Sequence, residues 1–334
     1  TKEQLQTVAN LKEIKISGKE EIATLEPLKE LTGLKLLDCS QTSVTSLEPL
    51  RDLIDLEVLN CANTLLTGNA LAPLKSLSNL KELNISNTSV DAIPFGNFVS
   101  LEIFTADNTK ITTLNAFSNL KNLREVYCDN TPIKAEAAAS FVKENPQVMV
   151  VYKTEVLKSW WEDLNAIWKG IFSKQAAVEG EPDRVQLHQI IGLTKLNIEE
   201  GTRINNLQPL SELSNLEELS FSNTAVSSLL PLRQLDKLRV LECPKNPIFE
   251  LDPLESLTSL EYINFENTPV KKLDPLENLR KLEVVKCSAT QIRNLKALEE
   301  MPGLRRLECY NTKVSSGKVR RFRDDMPNTE VVYY

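Results

Sequence analysis

The segment LEYINFENTPV occupies residues 260–270, and similar segments recur along most of the 334-residue chain. Full copies begin at residues 34, 56, 80, 101 and 123, and a second series begins at residues 216, 238, 260, 282 and 304. Degenerate copies at 11–17 and 193–199 open the two series. Spacings of 22, 24, 21 and 22 residues, and then of 22 throughout, predict a solenoid in which each turn buries its apolar face against the next.

Each copy alternates apolar and outward-facing positions in the pattern L-x-x-L-x-L, which predicts a short strand with one buried face. Stacked copies therefore predict a parallel sheet with one strand per turn. A proline–leucine step follows many copies, as in LEPL (47–50) and LDPL (273–276). Because proline has no N–H donor and a fixed φ, we expect an irregular or 3₁₀ return path and no long helix.

The copies resemble the leucine-rich repeat family, whose consensus is L-x-x-L-x-L-x-x-N/C-x-L. They are most similar to short, internalin-like bacterial repeats, which have the same proline–leucine step. The resemblance covers nearly all of the chain except residues 153–192 and implies an α/β solenoid with curved parallel sheets. Threonine replaces the consensus asparagine in nine of the ten full copies, with Asn246 as the exception. We expect the threonine hydroxyls to bond the backbone of adjacent turns.

The two series also have matching ends. Residues 137–152 align with residues 319–334, and both predict a short helix, a proline break and a final strand that covers the open end of a stack. We therefore predict two tandem leucine-rich repeat horseshoes with helical caps, in residues 1–152 and 193–334, joined by a connector at 153–192. The N-terminal cap of the first domain is expected before residue 1.

All three tryptophans lie in the connector, within SWWEDLNAIWKGIF (159–172). Apolar residues recur there at the spacing of an amphipathic helix, which we predict over residues 155–173. Its polar face is neutral, whereas a helix that lies on a membrane is usually basic. We predict that this helix caps the first strand of the second series; the alternative is a hook for a partner protein.

The composition excludes several classes of function. A net charge of −7 does not predict nucleic-acid binding, and no apolar run of 18 residues predicts a membrane span. The single histidine, His188, allows neither a histidine-based triad nor a multi-histidine metal site, and we expect it at the surface. Dinucleotide, P-loop and C-x-x-C motifs are missing from the sequence. We therefore predict no catalytic residues, no metal site and no cofactor.

All six cysteines occupy the third apolar position of a copy, where Ile85, Ala106 and Phe265 stand elsewhere. This interchange predicts reduced thiols that pack in the core as small apolar groups. A disulfide is the alternative for Cys39 with Cys61 and for Cys287 with Cys309, because about 4.8 Å separates neighbouring strands. Reduced thiols favour a cytoplasmic protein weakly, and a secreted or surface location stays open.

Residues between the consensus leucines are expected to point outward on the concave face. In the second series they form an apolar centre of Val240, Tyr262 and Val284. The surrounding candidates are Glu242, Asn264, Glu266, Lys286, Arg306 and Tyr310. The first series offers Leu36, Val58, Ile103 and Tyr127, with Asp107 and Asp129 nearby. An apolar centre with a charged rim is typical of interaction surfaces, although β-branched and aromatic residues also favour strands as such.

Residues 280–323 contain 12 Lys or Arg against 4 Asp or Glu, which indicates either a solvated helix face or an acidic partner. Together these patterns predict a non-enzymatic scaffold that binds a protein or a glycan through its concave faces. The alternatives are a structural or oligomerisation spacer without a ligand, and a targeting module of a larger protein.

Overall fold

The computed structural model describes residues 11–94, 98–118 and 120–333. The chain divides into two compact units, one ending at Val156 and the other beginning at Leu157. Each unit contains its own seven-stranded parallel sheet, and in both sheets neighbouring strands come from successive turns of the chain. This architecture confirms the predicted α/β solenoid.

The strands of the first unit are three residues long, apart from a small two-stranded sheet of two-residue strands. The seven-stranded sheet comprises β1 (Glu13–Lys15), β2 (Leu36–Asp38), β3 (Val58–Asn60), β5 (Glu82–Asn84), β7 (Ile103–Thr105), β8 (Glu125–Tyr127) and β9 (Met149–Val151). The small sheet pairs β4 (Thr67–Gly68) with β6 (Ser89–Val90).

The sheet of the second unit repeats this arrangement. Its strands are β10 (Lys195–Ile198), β11 (Glu218–Phe221), β12 (Val240–Glu242), β13 (Tyr262–Asn264), β14 (Val284–Lys286), β15 (Arg306–Glu308) and β16 (Glu330–Val332). Equivalent positions of successive turns face each other, as Leu241 faces Ile263 and Ile263 faces Val285. One register therefore holds through the sheet.

Short 3₁₀ segments lie on the return path of the turns, as the proline–leucine steps predict. They are Glu26–Leu28, Glu48–Leu50, Ala72–Ser76, Asn115–Phe117, Gln208–Glu212, Leu230–Leu232, Asp252–Leu254, Asp274–Leu276 and Lys296–Leu298. The α-helices are α1 (Ala135–Glu144), α2 (Thr154–Asp163), α3 (Ala166–Ala176), α4 (Arg184–Ile191) and α5 (Ser316–Asp325). Helices α1 and α5 precede the last strand of each sheet, where helical caps are expected.

The consensus apolar residues form one core in each unit. Leu37, Leu59 and Leu83 are almost fully buried in the first core, as are Leu241 and Ile263 in the second. Burying a side chain of this size stabilises the fold by about 1.5–3 kcal/mol. Since no turn can bury these side chains alone, each depends on its neighbours.

A left-handed residue follows every strand of the ten full copies. Counting the first leucine of a copy as position 1, position 8 has φ between 52° and 57°, as in Asn63 (57°) and Asn223 (52°). Asparagine fills this position in seven copies because its short polar side chain tolerates the left-handed region. The chain can thus turn sharply out of the strand before threonine at position 9.

The expected threonine bonds between adjacent turns are wrong. The hydroxyl of Thr42 donates to the Cys39 carbonyl of its own turn at 2.6 Å, and Thr268 donates to Phe265 at 2.7 Å. The longer amide of Asn246 does bridge turns: its Oδ1 accepts from the Thr224 N–H at 2.8 Å. Eight of the nine threonines at position 9 close their own loop in this way. The exception is Thr224, whose hydroxyl donates to Asn246 Oδ1 of the next turn at 2.7 Å.

The tryptophan segment forms two helices, so the predicted single helix over 155–173 is wrong. Helix α2 ends at Asp163, and Asn165 begins α3 by accepting hydrogen bonds from the backbone N–H groups of Ile167 and Trp168 at 3.0 and 3.1 Å. An asparagine N-cap favours a new helix start over a continuous helix. Trp161 and Trp168 are buried with Leu196 of β10 in the second core.

His188 is buried in α4, not exposed as expected. Its Nδ1 lies 2.7 Å from the Arg184 carbonyl oxygen, one helical turn back. This ring nitrogen thus has its partner inside the same helix, which accords with a structural role.

We expect Trp168→Ala to lower the free energy of unfolding of the second unit by about 3–5 kcal/mol, because the ring is 2% exposed in the core. Chemical denaturation followed by tryptophan fluorescence measures the change. Ile167→Ala is the control, since the neighbouring side chain is 41% exposed. If both variants unfold like the parent protein, α3 contributes little to the unit.

All six cysteines are buried and free. Burial raises the pKa of the Cys39 and Cys128 thiols to about 12, so these groups stay protonated at neutral pH. Protonated thiols react slowly with thiol reagents because the thiolate is the nucleophile.

Thiol titration of the native protein should therefore be slow, and it should reach six equivalents on denaturation without reductant. A final titre below six would reveal a disulfide. Fast labelling of the native protein would instead show that the turns open readily.

Candidate interaction faces

The concave face of each unit carries the side chains of positions 3, 5 and 7. On the second concave face, the register places Tyr262 of β13 between Val240 of β12 and Val284 of β14. The structure thus brings the predicted apolar centre together. These three side chains are half-buried, whereas the sequence predicted that they are exposed to solvent. Packing against neighbouring strands covers their stems.

Tyr262 takes part in a polar network that the sequence pattern did not indicate. Its phenol interacts with the Glu242 carboxylate and the Lys286 ammonium. Burial, followed by the negative charge of Glu242, raises the pKa of Tyr262 above its usual value. The ring is half-buried between its apolar neighbours, and both charged groups lie close enough to act on its hydroxyl.

The network continues through two residues that sequence analysis missed, Glu308 and Glu330. Lys286 Nζ lies 3.4 Å from the Glu308 carboxylate, which also accepts a 2.8 Å hydrogen bond from Arg306 Nε. Arg306 Nη1 donates to Glu330 at 2.9 Å. Burial acts to raise the pKa of Glu308, but Arg306 and Lys286 outweigh it, so this pKa lies below its usual range. The register could have indicated these contacts, because positions 3 and 5 of neighbouring turns are adjacent.

The upper edge of the second concave face holds Glu266, Ser288 and Tyr310, each at position 7 of successive turns. Asn264 Oδ1 accepts the Glu266 N–H at 3.1 Å, which fixes the chain where it leaves β13. Glu266 Oε1 and Ser288 Oγ are buried and find no hydrogen-bond partner among the described residues. Buried polar atoms of this kind are uncommon in native structures.

A depression of about 290 Å³ lies on the first concave face and is lined by Leu36, Val58 and Ile103. Glu82 interrupts this apolar row between Val58 and Ile103. The structure does not bring Tyr127 into the depression, because its strand lies beyond that of Ile103 and its hydroxyl donates to Glu125 at 2.6 Å.

The two carboxylates at position 7 of the first unit have structural partners. Asp107 Oδ1 accepts the Asp129 N–H at 2.9 Å. The Asp129 carboxylate accepts the N–H and the hydroxyl of Thr154 at 2.8 and 2.6 Å, at the start of α2. Asp129 therefore serves the fold as a helix-capping acceptor.

The polar wall of the depression, which the repeat pattern did not single out, consists of Asp38, Asn60 and Asn84 at position 5 of successive turns. Each Oδ1 accepts the N–H two residues later, at 3.0, 3.2 and 3.0 Å respectively. The recurrence of Asp or Asn at position 5 was the available signal, because these residues commonly form such local bonds.

The basic run at 280–323 is only partly free on the surface. Lys318 Nζ donates to the Arg293 carbonyl and Arg323 Nη2 to the Val331 carbonyl, each at 2.8 Å. Arg320 and Arg321 are exposed and form no ion pair with the described residues. Two of the four basic side chains of α5 thus hold the cap together.

A charged ladder at position 2 borders the first concave face. Glu57 bonds both Lys35 and Lys81, at 2.5 and 2.6 Å, from the turns on either side. Hydrogen bonds from Lys35 and Lys81 lower the pKa of Glu57 from 4.5 to about 2. The folded state therefore favours the ionised carboxylate.

Because the folded pKa is depressed, the stabilising contribution of Glu57 should be present above about pH 4.5 and lost as the pH falls towards 2. Glu57→Gln should remove this contribution, so wild type and variant should differ at neutral pH and converge near pH 2. Urea denaturation across this range tests the idea. Glu30→Gln is the matched control, since Glu30 forms no ion pair within the described part of the chain; a pH-independent difference for Glu57→Gln would contradict the prediction.

Across residues 11–94, 98–118 and 120–333, no three His, Cys, Asp or Glu side chains are grouped so that they could hold a metal ion. Within the same residues, no helix is long and apolar enough to cross a membrane.

The repeat, the single strand per turn and the constant register decide the fold. This chain has the leucine-rich repeat fold. No family model matches the sequence, and no curated protein matches it either. Solved leucine-rich repeat structures similar to this chain have low sequence identity to it. Internalin InlF of Listeria monocytogenes is 17% identical, with 100% of this chain and 84% of that chain covered and a TM-score of 0.40.

Two further solved structures belong to the same class. A leucine-rich repeat protein of Leptospira interrogans is 18% identical over 98% of this chain and 85% of that chain, with a TM-score of 0.41. The functional domain of InlJ from Listeria monocytogenes, which includes a cysteine ladder, is 22% identical over 92% of this chain and 65% of that chain, with a TM-score of 0.36. Because a fold does not determine a function, these similarities do not identify a ligand for this chain.

Proposed function

We propose that this leucine-rich repeat chain is a non-enzymatic recognition scaffold that binds a protein partner through its concave faces. The row of Val240, Tyr262 and Val284 carries the proposal, because it offers apolar area within a fixed polar frame. Glu242, Lys286 and Arg306 supply that frame, and Asn264, Glu266 and Tyr310 form its upper part. Apolar anchors surrounded by polar groups are the usual anatomy of a binding hot spot.

Pre-organisation supports the same proposal. Tyr262 is already half-buried between Val240 and Val284, so less side-chain entropy is lost when a partner covers the ring. A tyrosine also buries apolar area while its hydroxyl keeps a hydrogen bond. The first concave face adds Leu36, Val58, Ile103 and Tyr127 as a second candidate surface.

The rival proposal is a structural or oligomerisation spacer, for which the concave side chains have no ligand. A spacer should show a concentration-dependent mass in sedimentation and should tolerate changes at Tyr262. A scaffold should bind a partner and lose that binding when Tyr262 is truncated.

The test uses the full chain as the target for selection from a displayed random-peptide library. Selected peptides should bind Tyr262→Ala at least about thirtyfold more weakly, the equivalent of about 2 kcal/mol, as for a hot-spot residue. Titration calorimetry measures the affinity, and thermal unfolding checks that the variant is folded. Tyr262→Phe separates the ring from the hydroxyl.

Phe249→Ala is the matched control, since Phe249 is an aromatic residue outside the concave positions and is 54% exposed. Peptides that depend on Phe249 and ignore Tyr262 would contradict the proposal. Binding to a glycan array that is lost in Tyr262→Ala would replace the protein partner with a glycan.

A further inference from the structure

The depression on the first concave face has a volume of about 290 Å³. Pockets for small molecules and cofactors usually measure roughly 300–1,000 Å³, so this depression is at the lower end of their range. It is open and lies on a sheet, where a protein surface can reach it. Its size therefore suits a single side chain of a partner better than a whole cofactor.

Apolar groups, two carboxylates and one lysine line the depression. Leu36, Val58 and Ile103 provide an apolar floor, while Asp38 and Glu82 supply the carboxylates. Lys15 also lines it, so the charged lining keeps one net negative charge. A long aliphatic stem with a charged head is the side-chain chemistry that fits such a surface, because the stem buries apolar area while the head stays polar. Lysine and arginine have this chemistry.

The orientation of Asp38 is fixed before a partner arrives. Its Oδ1 accepts two hydrogen bonds from Ser40, from N–H at 3.0 Å and from Oγ at 2.6 Å. Its Oδ2 accepts no hydrogen bond from the residues that the structure describes, so this oxygen is available to a cation. A charge-assisted hydrogen bond to a fixed carboxylate is stronger than a neutral one.

Asn60 and Asn84 add donors beside this acceptor. The Oδ1 atom of each side chain accepts a hydrogen bond from a backbone N–H group, which leaves the amide nitrogen as the donor of that side chain. Neither amide nitrogen has a hydrogen-bond partner among the described residues. These two amide groups can donate hydrogen bonds to the backbone carbonyl oxygens of a peptide segment that carries the basic side chain.

A buried hydroxyl without a hydrogen-bond partner lies at the edge of the same concave face. Ser86 is 8% exposed, and its Oγ has no hydrogen-bond partner in the described part of the chain. It lies two residues after Asn84, at position 7, where the next turn carries Asp107. A buried hydroxyl left without a partner is destabilising, so the face is polar and unsatisfied at this edge.

The charge of the whole first concave face agrees with a basic partner. Positions 3, 5 and 7 carry six carboxylates, from Glu13, Asp38, Glu82, Asp107, Glu125 and Asp129. The equivalent cations of the described turns are Lys15 and Lys153. A face with this excess of negative charge attracts positively charged groups and repels acidic ones.

We infer that the depression is the binding site for a lysine or arginine side chain of the protein partner. The stem lies over Leu36 and Val58, and the cationic head bonds Asp38 and Glu82. This inference rests on the proposed recognition function and deepens it by naming the chemistry of the partner. The second concave face, with Tyr262, is a separate contact region.

The test uses three short probes with the full chain: Ac-Gly-Arg-Gly-NH₂, Ac-Gly-Lys-Gly-NH₂ and Ac-Gly-Gln-Gly-NH₂. Methyl NMR of leucine and valine reports on the depression, with Leu36 and Val58 assigned by substitution. We expect a basic probe to cause saturable shifts at both methyl positions and the glutamine probe to cause none. Added salt should weaken the effect, because it screens the charges.

The double variant Asp38→Asn, Glu82→Gln should bind the basic probe about tenfold more weakly, as expected when charge-assisted hydrogen bonds are lost. Asparagine keeps the bond to Ser40, as Asn60 and Asn84 keep theirs, so the fold should persist. Val58→Lys should abolish binding of the basic probe, because the introduced lysine side chain would occupy the depression. Glu30→Gln removes one carboxylate elsewhere in the unit and should leave binding unchanged.

Equal binding of the glutamine probe, unshifted Leu36 and Val58 methyls, or an equal effect of Glu30→Gln would overturn the inference. Failure of the basic probes at the depression, together with library-selected peptides that still need Tyr262, would overturn this inference alone. Selected peptides that ignore Tyr262, Asp38 and Glu82 would overturn the proposed function as well.

Discussion

The structure depends on one constraint: each turn must place its apolar residues against the same residues of the next turn. Leu241, Ile263 and Val285 meet in this way, and the parallel register follows from it. A slip by one residue would move every core side chain to the solvent face, so the register is strongly specified. The cysteines fit this scheme as small core residues of the same column.

The same register determines what the concave faces can do. Positions 3 and 5 of neighbouring turns lie side by side, so residues 22 apart in sequence, such as Tyr262 and Val284, become neighbours. Polar side chains within this array bond one another before any ligand binds, as Arg306, Glu308 and Lys286 do. A rigid face binds with a smaller entropic cost than a flexible one.

The fold could be predicted because leucine spacing is repeated and has one physical meaning. The column of Val240, Tyr262 and Val284 could be predicted for the same reason, since it needs only the register. Individual side-chain hydrogen bonds could not be predicted. Thr42 bonds its own turn, Asn165 caps a second helix within the tryptophan segment, and His188 bonds a carbonyl of its own helix. Such outcomes depend on the reach of single side chains, which a repeat consensus does not contain. The depression was missed because Asp38, Asn60 and Asn84 resemble ordinary polar strand residues.

In both sheets each strand pairs only with the strands of adjacent turns. This has a consequence for how the molecule can change over evolutionary time. A whole turn can be added or lost within a unit while the surviving turns keep the same core contacts. Each such event lengthens or shortens the concave face by one strand, or about 4.8 Å. Binding area can therefore change in discrete steps, without any redesign of the interior and with the end caps left in place.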